Sequence, residues 1–473
     1  MIEQQLYIDG VWTPGGGKVI EVHDKWTDEL IGSTEVAEPE HVHSAIDAAH
    51  AALRAGLPAH RRAAALREAA RLVQDSGEQL AQILRQEAGK PITAARGEVA
   101  RCVQTLLLSA AEATKITSEA LSMDVVPTGE GITAFSRTVP VGVVGAITPF
   151  NFPLNLVAHK LGPALAAGCP VVLKPSERTP LSAGLLVKIL HDAGLPAGWI
   201  NMVTGDPAEI VGLLSDDDRV AVLTFTGSST VGWQLKARSP RKRHVLELGS
   251  NTGAIVTADA DLDRVVDCAV AAGFAYSGQA CVSLQRLFVD EAVMAPLTDK
   301  LIATVRDVVT GDPARDDVTV GPLISIDALE RVEAWIQEAV DDGARILTGG
   351  RREGRALLPT VLTDVPTAAK VVCEEIFGPV LSLVPVQGVD EGIARLNESR
   401  FGLNAAVFTQ NLQTAMRCTR ELHAGTVLVN MPPAYRSDNM PYGGVKDSGQ
   451  GREGVAYAVS ELRDQTLVLI HEG

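Results

Sequence analysis

Cysteine is scarce in this chain, which has six among 473 residues. No two of them form a C-x-x-C pair, and no cysteine–histidine cluster has zinc spacing, so we expect no bound metal. Sparse cysteines in a long chain fit a reduced compartment, and we therefore expect a cytoplasmic protein. The first residues contain neither a basic nor an apolar stretch, which predicts that there is no signal peptide.

Excess positive charge and long apolar runs are also missing. The formal net charge is −16, which argues against nucleic acid as a partner because phosphate backbones select basic surfaces. The longest apolar stretches are interrupted by glycine, proline or charge before they reach membrane-spanning length, so we expect no membrane partner. The composition, 46% hydrophobic and 21% charged, is typical of a globular protein, and the length requires two or three domains.

The N-terminal part is predicted to be a short hairpin followed by helices. Residues 6–12 contain two strand-like segments around a turn at Asp9 and Gly10. Apolar periodicity then predicts four helices, at residues 39–55, 61–76, 78–87 and 94–120.

A second hairpin is predicted at residues 124–127 and 132–138, between larger regions of mixed strand and helix. Its edges would be exposed unless another element or subunit covers them. The apolar run at residues 466–470 is also strand-like. We interpret the hairpin and this run as one small sheet at an interface between subunits; the alternative is that the run packs on its own subunit.

From residue 141 the chain alternates strand and helix, which predicts an α/β fold with a parallel, doubly wound sheet. Strands are expected at residues 143–147, 170–174, 200–203, 221–225 and 244–248, with helices at 157–167, 181–193 and 207–214. A second block predicts another α/β domain, with strands at residues 254–256, 287–289, 380–384, 405–408 and 426–430 and a helix at 328–341. A ligand site is expected in the cleft between the blocks, at the carboxyl ends of strands.

Cys281 is a candidate nucleophile. It lies between a helix-like and a strand-like run, and Gly278 and Ala280 leave room for a substrate beside its sulfur. Glu247, at the end of a predicted strand, offers a carboxylate base, and Asn151, in a proline-rich turn, offers an amide donor. Nucleophile, base and oxyanion donor are the parts that acyl chemistry requires. Unreactive buried cysteines are commoner than nucleophiles, so the conjunction of the three carries the hypothesis.

Three segments at strand ends are candidates for nucleotide binding. Residues 225–232 join a strand to a helix and can present N–H groups to a phosphate, although they lack the G-x-G-x-x-G pattern and suit an ordinary turn equally well. Residues 174–177 could hydrogen-bond a ribose, or could begin a helix with Ser176 or Thr179 as its cap. Residues 374–379 combine acids, an aromatic ring and a Gly-Pro turn, which suits a ribose and a flat ring but is usually structural.

Arg101 and Arg436 are candidates for binding an anionic substrate tail, because arginine suits bidentate recognition of carboxylates. The alternative for each is a surface or interdomain ion pair. His159 lies on a predicted helix after Asn151, and we interpret it as a packed residue.

The order and spacing of seven segments resemble the aldehyde dehydrogenase superfamily over nearly the whole chain. These segments are residues 148–153 (TPFNFP), 174–177 (KPSE), 225–228 (FTGS), 247–249 (ELG), 278–281 (GQAC), 375–379 (EIFGP) and 441–446 (PYGGVK). The resemblance implies a Rossmann-like cofactor domain at residues 1–119 and 140–247, and an α/β catalytic domain at residues 248–450. It also implies a small β oligomerisation element at residues 120–139 and 451–473, and a homodimer or homotetramer.

The same resemblance implies a chemistry. The Cys281 thiolate would attack an aldehyde, the Asn151 amide and the Cys281 N–H would stabilise the oxyanion, and hydride would pass to a nicotinamide. Glu247 would activate the water that hydrolyses the remaining thioester. The positions that match the family's cofactor contacts are Ile147, Thr148, Pro149, Phe150, Lys174, Ser176, Glu177, Gly205, Gly227, Ser228, Val231, Leu248, Glu375 and Phe377. Substrate contacts are expected at Arg101, Phe152, Val282, Tyr435 and Arg436.

The expected cofactor is NAD. Glu177 would repel the 2′-phosphate of NADP if its carboxylate faces the ribose, and NADP stays open if the side chain turns away.

The expected substrate is a short, hydroxylated or anionic aldehyde. Residues 250–252 (SNT), 281–286 (CVSLQR) and 435–441 (YRSDNMP) resemble the lactaldehyde, glyceraldehyde-type and phosphonoacetaldehyde branch. Members specific for the phosphonate carry a histidine and an arginine where this chain has Phe152 and Ala280, which argues against that substrate. Two other hypotheses stay open: a CoA-acylating semialdehyde dehydrogenase, against which Glu247 counts, and a non-catalytic binding or structural protein on the same fold.

Overall fold

Helices dominate the N-terminal part of the chain, as the apolar periodicity predicts. The computed structural model describes residues 1–115 and 118–472. In chain order this part comprises β1 (Ile2–Gln4), β2 (Leu6–Ile8), β3 (Val11–Thr13), β4 (Val19–His23), β5 (Leu30–Glu35), α1 (Pro39–Ala55), α2 (Ala59–Asp75), α3 (Gly77–Ala88), α4 (Ile92–Ala113), β6 (Ala120–Ser122) and β7 (Ile132–Pro140). Strands β2 and β3 pair as the predicted antiparallel hairpin.

Helix α4 is shorter than predicted. The prediction covered residues 94–120, whereas the helix ends at Ala113 and Ala120 begins β6. Thr114 follows the helix, and its hydroxyl donates to the carbonyl of Ala111 at 3.1 Å. The chain is rich in β-branched residues from Thr114 onward, and these residues and hydroxyls that bond to the backbone disfavour a helix. The part of the prediction at residues 116–117 lies outside the described residues.

The first strand of the second hairpin was also misplaced. Residues 124–127 were predicted as a strand, but the strand is β6, and Pro127–Gly129 form a 3₁₀ turn. Pro127 has no N–H to give to a strand neighbour, and its fixed φ suits the start of such a turn.

The central part of the chain builds the predicted doubly wound sheet. It comprises β8 (Val143–Ile147), α5 (Asn155–Ala167), β9 (Val171–Lys174), α6 (Pro180–Asp192), β10 (Ile200–Met202), α7 (Pro207–Asp216), β11 (Val220–Thr226), α8 (Ser229–Arg238) and β12 (Arg243–Glu247). The five strands are parallel in the order β12-β11-β8-β9-β10, the Rossmann-like arrangement. The strand order reverses between β8 and β11, where such sheets bind ligands.

A second, largely parallel sheet follows. Its part of the chain comprises β13 (Gly253–Val256), α9 (Leu262–Phe274), β14 (Arg286–Asp290), α10 (Glu291–Arg306), α11 (Ile326–Asp341), β15 (Arg345–Thr348), β16 (Arg352–Glu353), β17 (Ala356–Leu357), β18 (Thr360–Thr363), α12 (Lys370–Cys373), β19 (Val380–Val386), α13 (Gly388–Asn397), β20 (Phe401–Gly402), β21 (Asn404–Phe408), α14 (Leu412–Glu421) and β22 (Thr426–Val429). Seven strands form the sheet in the order β15-β18-β19-β14-β13-β21-β22. The predicted second α/β block is confirmed.

The C-terminal segment returns to both earlier regions. It comprises β23 (Val445–Lys446), β24 (Gly449–Gln450), α15 (Val455–Glu461) and β25 (Arg463–His471). Strand β24 pairs with β12, and β25 pairs antiparallel with β7, which β6 flanks on its other side. The hairpin and the C-terminal run therefore share one small sheet. Its assignment to subunit contacts and the predicted domain boundaries stay predictions.

Two buried features of the first half support the site. Every residue of α5 is buried, because the helix packs between the sheet and α4. The start of α6 is capped from outside its own segment: the carboxylate of Glu87 accepts the N–H groups of Leu181 and Ser182 at 2.8 and 3.0 Å. The hydroxyl of Thr179, one of the two predicted caps, makes no capping bond.

Candidate active site

A cavity of about 790 Å³ lies between the two sheets and collects most of the predicted site residues. The three predicted catalytic residues, Cys281, Glu247 and Asn151, all line it. The other predicted residues in its wall are Pro149, Phe150, Gly227, Ser228, Leu248, Glu375, Phe377, Arg101, Phe152, Val282 and Arg436. The predicted residues outside this wall are Ile147, Thr148, Lys174, Ser176, Glu177, Gly205, Val231 and Tyr435.

The loop before Cys281 has an unusual backbone. Tyr276 and Ser277 have φ of 49° and 58°, a region that side chains rarely adopt. Gly278 follows with φ of 68°, and a Cβ there would lie 2.2 Å from the carbonyl oxygen of Gly378. Glycine is therefore required at this position, and the strained turn leads directly to the sulfur.

The thiol of Cys281 is partly buried and contacts the hydroxyl of Tyr442 at 3.0 Å. Burial raises its pKa to about 11, and the Tyr442 hydrogen bond and the charge of Arg436 oppose that rise. Burial therefore favours the protonated thiol, and Cys281 would need a base to remove its proton if it acts as a nucleophile.

Glu247 is the base within reach of the same space. It ends β12 and is 3% exposed, and neither carboxylate oxygen has a hydrogen-bond partner among the described residues. Burial raises its pKa well above the ordinary 4.5, and the neighbouring charge of Glu453 adds to the rise. An unpartnered buried carboxylate is costly, and a raised pKa makes it a stronger base, which is typical of functional sites.

Glu453 belongs to a buried ionic cluster that the sequence did not reveal. Its carboxylate bonds to Lys160 of α5 and to Arg436, both at 3.0 Å. Burial opposes its ionisation, but the two cations hold its pKa at about 2. The guanidinium of Arg436 also lies 3.8 Å over the ring of Tyr442. Glu453 therefore remains charged while Glu247 holds its proton more tightly.

Tyr442 and Glu453 were missed for different reasons. Tyr442 lies in the segment 441–446 that supported the family resemblance, but its contact with Cys281 joins residues 161 positions apart. Lys160 and Glu453 are 293 positions apart, and no local pattern marks either of them. Only a set of related sequences or the folded chain could have identified them.

Asn151 lies beside the Cys281 loop. Its side-chain nitrogen donates to the carbonyl of Gln279 at 3.0 Å, and its side-chain oxygen accepts the N–H of Phe152 at 3.2 Å. One amide hydrogen is thereby used to fix the side chain. Within residues 1–115 and 118–472 no group accepts the second amide hydrogen, so it is available to another acceptor in the cavity.

Both candidate substrate arginines form ion pairs, which is the alternative to substrate binding that the sequence left open. Arg101 binds the carboxylate of Asp438 through two nitrogens, at 2.6 and 3.3 Å. Arg436 pairs with Glu453 at 3.0 Å. Both also line the cavity, so pairing does not remove them from the substrate's path. Arg101 is 30% exposed and its Nη1 makes no hydrogen bond within the part of the chain that the structure describes.

His159 is a packed residue, as interpreted from the sequence. Its Nε2 lies 2.8 Å from Asp438, and burial lowers its pKa. It thereby helps to hold the carboxylate that orients Arg101.

The carboxyl ends of the parallel strands fit a dinucleotide. The hydroxyls of Thr148 and Thr226, after β8 and at the end of β11, are buried and have no partner among the described residues. These two strands flank the point where the strand order reverses. Ser228 caps α8 by accepting the N–H of Val231, so the start of that helix faces the same edge. Unsatisfied hydroxyls and a helix N-terminus are the groups that a pyrophosphate and ribose require.

Lys174 and Glu177 lie at the end of β9, outside the main cavity. Their side chains are joined by a 2.8 Å salt bridge. Burial opposes ionisation of Glu177, but the charge and hydrogen bond of Lys174 lower its pKa, so this edge carries a carboxylate at neutral pH. The hydroxyl of Ser176 accepts the N–H of Arg178 at 3.2 Å.

Glu375 and Phe377 lie on the opposite wall. The carboxylate of Glu375 accepts the N–H of Ser250 at 2.9 Å, and burial raises its pKa to about 7. Phe377 has φ of 48° and contacts Phe150 edge to face at 5.8 Å. The two rings meet at 79° and form an apolar part of the cavity wall.

Three predicted contacts lie away from this surface. Gly205 follows β10 and packs against Val36, Val231 is exposed on α8, and Tyr435 is exposed near Arg436. Ile147 is buried in the sheet core.

The described residues contain no group of three or more histidine, cysteine, aspartate or glutamate side chains that could hold a metal ion. None of the helices formed by these residues is long and apolar enough to cross a membrane.

Comparison with known proteins identifies the class. The aldehyde dehydrogenase family model matches residues 12–468, so the chain belongs to this family. It is 42% identical to the 3-sulfolactaldehyde dehydrogenase of Priestia aryabhattai over 466 residues, 98% of each chain. Aldehyde dehydrogenase 21 of Physcomitrella patens, solved with the reaction product succinate, matches with a TM-score of 0.96 and 38% identity over 99% of this chain and 98% of that chain. The NADP complex of glyceraldehyde-3-phosphate dehydrogenase from Bacillus halodurans matches with a TM-score of 0.97 and 33% identity over the whole of both chains.

The protein is therefore an oxidoreductase that acts on the aldehyde group with NAD or NADP as the acceptor. The predicted enzyme class and fold are confirmed.

Proposed function

We propose that this enzyme converts a short, anionic or hydroxylated aldehyde into a carboxylic acid, through a thioester on Cys281 that Glu247 hydrolyses with water. The observation that carries the proposal is the pair of unpartnered oxygens of Glu247 in the cavity that Cys281 and Asn151 also line. Because no described residue binds these two oxygens, Glu247 can accept a proton from a thiol or a water molecule in the cavity.

The first step is the attack of sulfur on the aldehyde carbon. The thiol proton of Cys281 passes to the carboxylate of Glu247, and the new C–S bond moves the carbonyl electrons onto oxygen. The free amide hydrogen of Asn151 and the N–H of Cys281 stabilise that oxyanion. The Tyr442 hydroxyl stabilises the thiolate as it forms, because it lies 3.0 Å from the sulfur.

A nicotinamide held in this cavity would supply the hydride acceptor, and the adduct would thereby become a thioester. The residues placed to hold the dinucleotide are Thr148, Lys174, Ser176, Glu177, Thr226, Ser228, Glu375 and Phe377. Before the second half-reaction Glu247 passes the thiol proton to solvent. It then takes a proton from water, the oxygen attacks the thioester carbon, and the C–S bond breaks to release the carboxylic acid and a Cys281 thiolate, which takes the proton back from Glu247. Asn151 stabilises this second oxyanion with the same hydrogen.

Glu453 tunes the base. It is held ionised by Lys160 and Arg436, and its charge raises the proton affinity of Glu247. A stronger base accepts a proton from a buried thiol, and from water, more readily.

An anionic tail is supported by the cavity wall and by the relatives. Arg101 presents an uncommitted nitrogen there, with its other nitrogens fixed by Asp438. One relative is named for 3-sulfolactaldehyde, which carries a sulfonate, and one neighbour was solved with succinate, a dicarboxylate. Arginine matches the oxygens of both groups.

The test is the rate of NADH or NADPH formation with a panel of aldehydes, each assayed with and without CoA. The panel comprises 3-sulfolactaldehyde, lactaldehyde, succinic semialdehyde, glyceraldehyde, phosphonoacetaldehyde and propanal. We expect CoA-independent turnover, and a higher kcat/KM for anionic aldehydes than for propanal. Strict dependence on CoA would establish the acylating alternative, and a preference for propanal would remove the role of Arg101. The absence of turnover with every aldehyde, together with a Cys281 that resists alkylation, would favour the non-catalytic alternative.

NAD is proposed as the preferred acceptor. The carboxylate of Glu177 is ionised at the carboxyl end of β9, where a 2′-phosphate would meet a like charge. The salt bridge to Lys174 holds the carboxylate in place.

The small sheet β25-β7-β6 is proposed as the element that joins subunits into a homodimer or homotetramer. Leu467, Leu469 and Ile470 of β25 are about half exposed, and an uncovered apolar strand favours association. In this proposal residues 120–139 and 451–473 form the oligomerisation element, with the cofactor domain at 1–119 and 140–247 and the catalytic domain at 248–450. Replacing Leu467 and Leu469 by Asp should reduce the mass measured by light scattering to that of a smaller assembly.

A further inference from the structure

A second cavity, of about 430 Å³, lies apart from the active site and is rich in arginine. Its wall includes Asn251, Arg286, Arg395 and Arg400. Its volume is within the range of about 300–1,000 Å³ that small-molecule sites occupy.

Arg286 is the unusual group in this cavity. It begins β14 and is 5% exposed, so its charge is almost fully buried. Its Nε donates to the carbonyl of Asn251 at 2.8 Å, and its guanidinium lies 5.3 Å from the ring centre of Phe288. Its terminal nitrogens make no hydrogen bond, and it forms no salt bridge, within residues 1–115 and 118–472. A buried cation without a carboxylate partner is costly unless something else satisfies it.

Further donors lie in the cavity wall or beside Arg286 in the sheet. Arg395 and Arg400 line the cavity from α13 and from the turn that follows it. Ser382 is the register partner of Arg286 on β19, and its buried hydroxyl has no hydrogen-bond partner among the described residues. Side chains at one register position of neighbouring strands share a face of the sheet. Burial lowers the pKa of Arg286 to about 10, and the charge of Glu398 opposes that shift, although Glu398 forms no salt bridge to these arginines among the described residues. Glu374 is paired with Arg400 at 2.6 Å.

The cavity is connected to the active site through two short segments. The side-chain nitrogen of Asn251 donates to the carbonyls of Val372 and Cys373, at 2.9 and 3.3 Å. Asn251 follows Ser250, whose N–H binds the carboxylate of Glu375. Glu374, the partner of Arg400, is the neighbour of that same glutamate. A ligand that drew Arg286 or Arg400 towards itself would therefore act on the wall proposed to hold the cofactor.

We propose that this cavity binds a small oxyanion, such as the phosphate or carboxylate group of a metabolite, on the guanidinium of Arg286, and that its occupancy changes the affinity for NAD through Glu374 and Glu375. Arg395 closes the site from the rim. Its present partner is Glu391 at 3.6 Å, a long and partly exposed pair that an anion can replace.

The test is calorimetric titration of inorganic phosphate into the enzyme saturated with NAD, at constant ionic strength set with sodium chloride. Saturating NAD prevents phosphate from occupying the pyrophosphate site of the cofactor. The variants are Arg286→Gln and Arg395→Gln, and the matched control is Arg417→Gln, an arginine on α14 that is paired with Asp390 and Glu421 outside the cavity.

We expect saturable binding to the native enzyme and to Arg417→Gln, a loss of affinity of about tenfold or more in Arg286→Gln, and a smaller loss in Arg395→Gln. The proposed site is overturned if the native enzyme shows no saturable binding of phosphate. It is also overturned if Arg286→Gln binds phosphate with the same affinity as the native enzyme. If Arg286→Gln does not fold, unchanged affinity in Arg395→Gln overturns it. The proposed effect on NAD affinity is tested by measuring the KM for NAD with and without phosphate. If phosphate binds but the KM for NAD does not change, the binding site stands and the effect on NAD affinity is overturned.

Discussion

The hydroxyl of Tyr442 lies 3.0 Å from the sulfur of Cys281. This contact opposes the rise that burial causes in the pKa of the thiol, together with the nearby charge of Arg436. Arg436 in turn lies over the ring of Tyr442 and pairs with Glu453. The pKa of this candidate nucleophile is therefore influenced by residues 436, 442 and 453, which lie far from it in sequence.

Replacing Tyr442 by Phe should raise the pKa of Cys281 further. A hydrogen bond to a charged group contributes about 1.5–3 kcal/mol, which corresponds to about 1–2 pH units. The pH profile of alkylation by iodoacetamide should shift to higher pH by that amount, with Cys281→Ser as the control that reports labelling of the other cysteines. A profile identical to that of the native enzyme would show that the hydroxyl does not stabilise the thiolate.

Glu247→Gln should separate the two half-reactions. An amide takes a proton neither from the Cys281 thiol nor from water, so the adduct should form only through the small fraction of thiolate that ionises to solvent, and thioester hydrolysis should fall by at least about 100-fold. Rapid mixing should show one turnover of NADH per site, slower than in the native enzyme, and no steady state beyond it. Glu209→Gln, an exposed change on α7, should keep native turnover. Continued steady turnover in Glu247→Gln would assign hydrolysis to another base.

The pH dependence of kcat/KM should report the raised pKa of Glu247. Burial and Glu453 raise this pKa well above 4.5, so activity should fall on acidification at a pH well above that value, as the carboxylate becomes protonated. Arg436→Met removes a charge that lowers the pKa of both Glu247 and Cys281, so the acid limb should move to higher pH. Arg436→Lys, which keeps the charge, should leave the limb near its native position. Equal limbs in the two variants would contradict the electrostatic role.

The buried pair of Lys90 and Glu98 should be important for stability. Both side chains are almost inaccessible, and the carboxylate of Glu98 also accepts the N–H groups of Leu154 and Asn155 at 3.0 Å. Glu98→Ala leaves a buried charge and two buried donors unpaired, which should cost about 3–5 kcal/mol. The exposed pair of Lys188 and Asp192 is the control, because Asp192→Ala should change stability by less than about 1 kcal/mol. Urea unfolding followed by circular dichroism measures the stability of both variants. Equal unfolding midpoints for Glu98→Ala and Asp192→Ala would contradict the stabilising role of the buried pair.

Glu177→Gln should increase activity with NADP relative to NAD. The substitution removes the carboxylate that the Lys174 salt bridge keeps ionised. It therefore removes the repulsion between this negative charge and a 2′-phosphate. The ratio of kcat/KM values for the two acceptors is the measurement. Glu291→Gln, an exposed change in the first turn of α10, gives the same change in net charge and serves as the control, and an unaltered ratio in Glu177→Gln would mean that other residues set the preference.

Most of the fold could be predicted because its signals are local. The parallel strands Val143–Ile147 and Arg286–Asp290 are short apolar runs, and the helix Pro39–Ala55 shows the 3.6-residue period directly. The errors lie where a boundary depends on single residues. Helix α4 stops before a β-branched stretch, and Pro127 begins a turn where a strand was expected.

The sequence by itself determined the family and the doubly wound sheet, and it predicted Cys281, Glu247 and Asn151 as the catalytic residues, because each stands in a short motif whose order along the chain can be read directly. Only the tertiary structure decided what surrounds them. Tyr442 reaches Cys281 across 161 positions, and Lys160 reaches Glu453 across 293. Burial, ionic partners and pKa shifts depend on which distant segments pack together, and no local pattern contains that information.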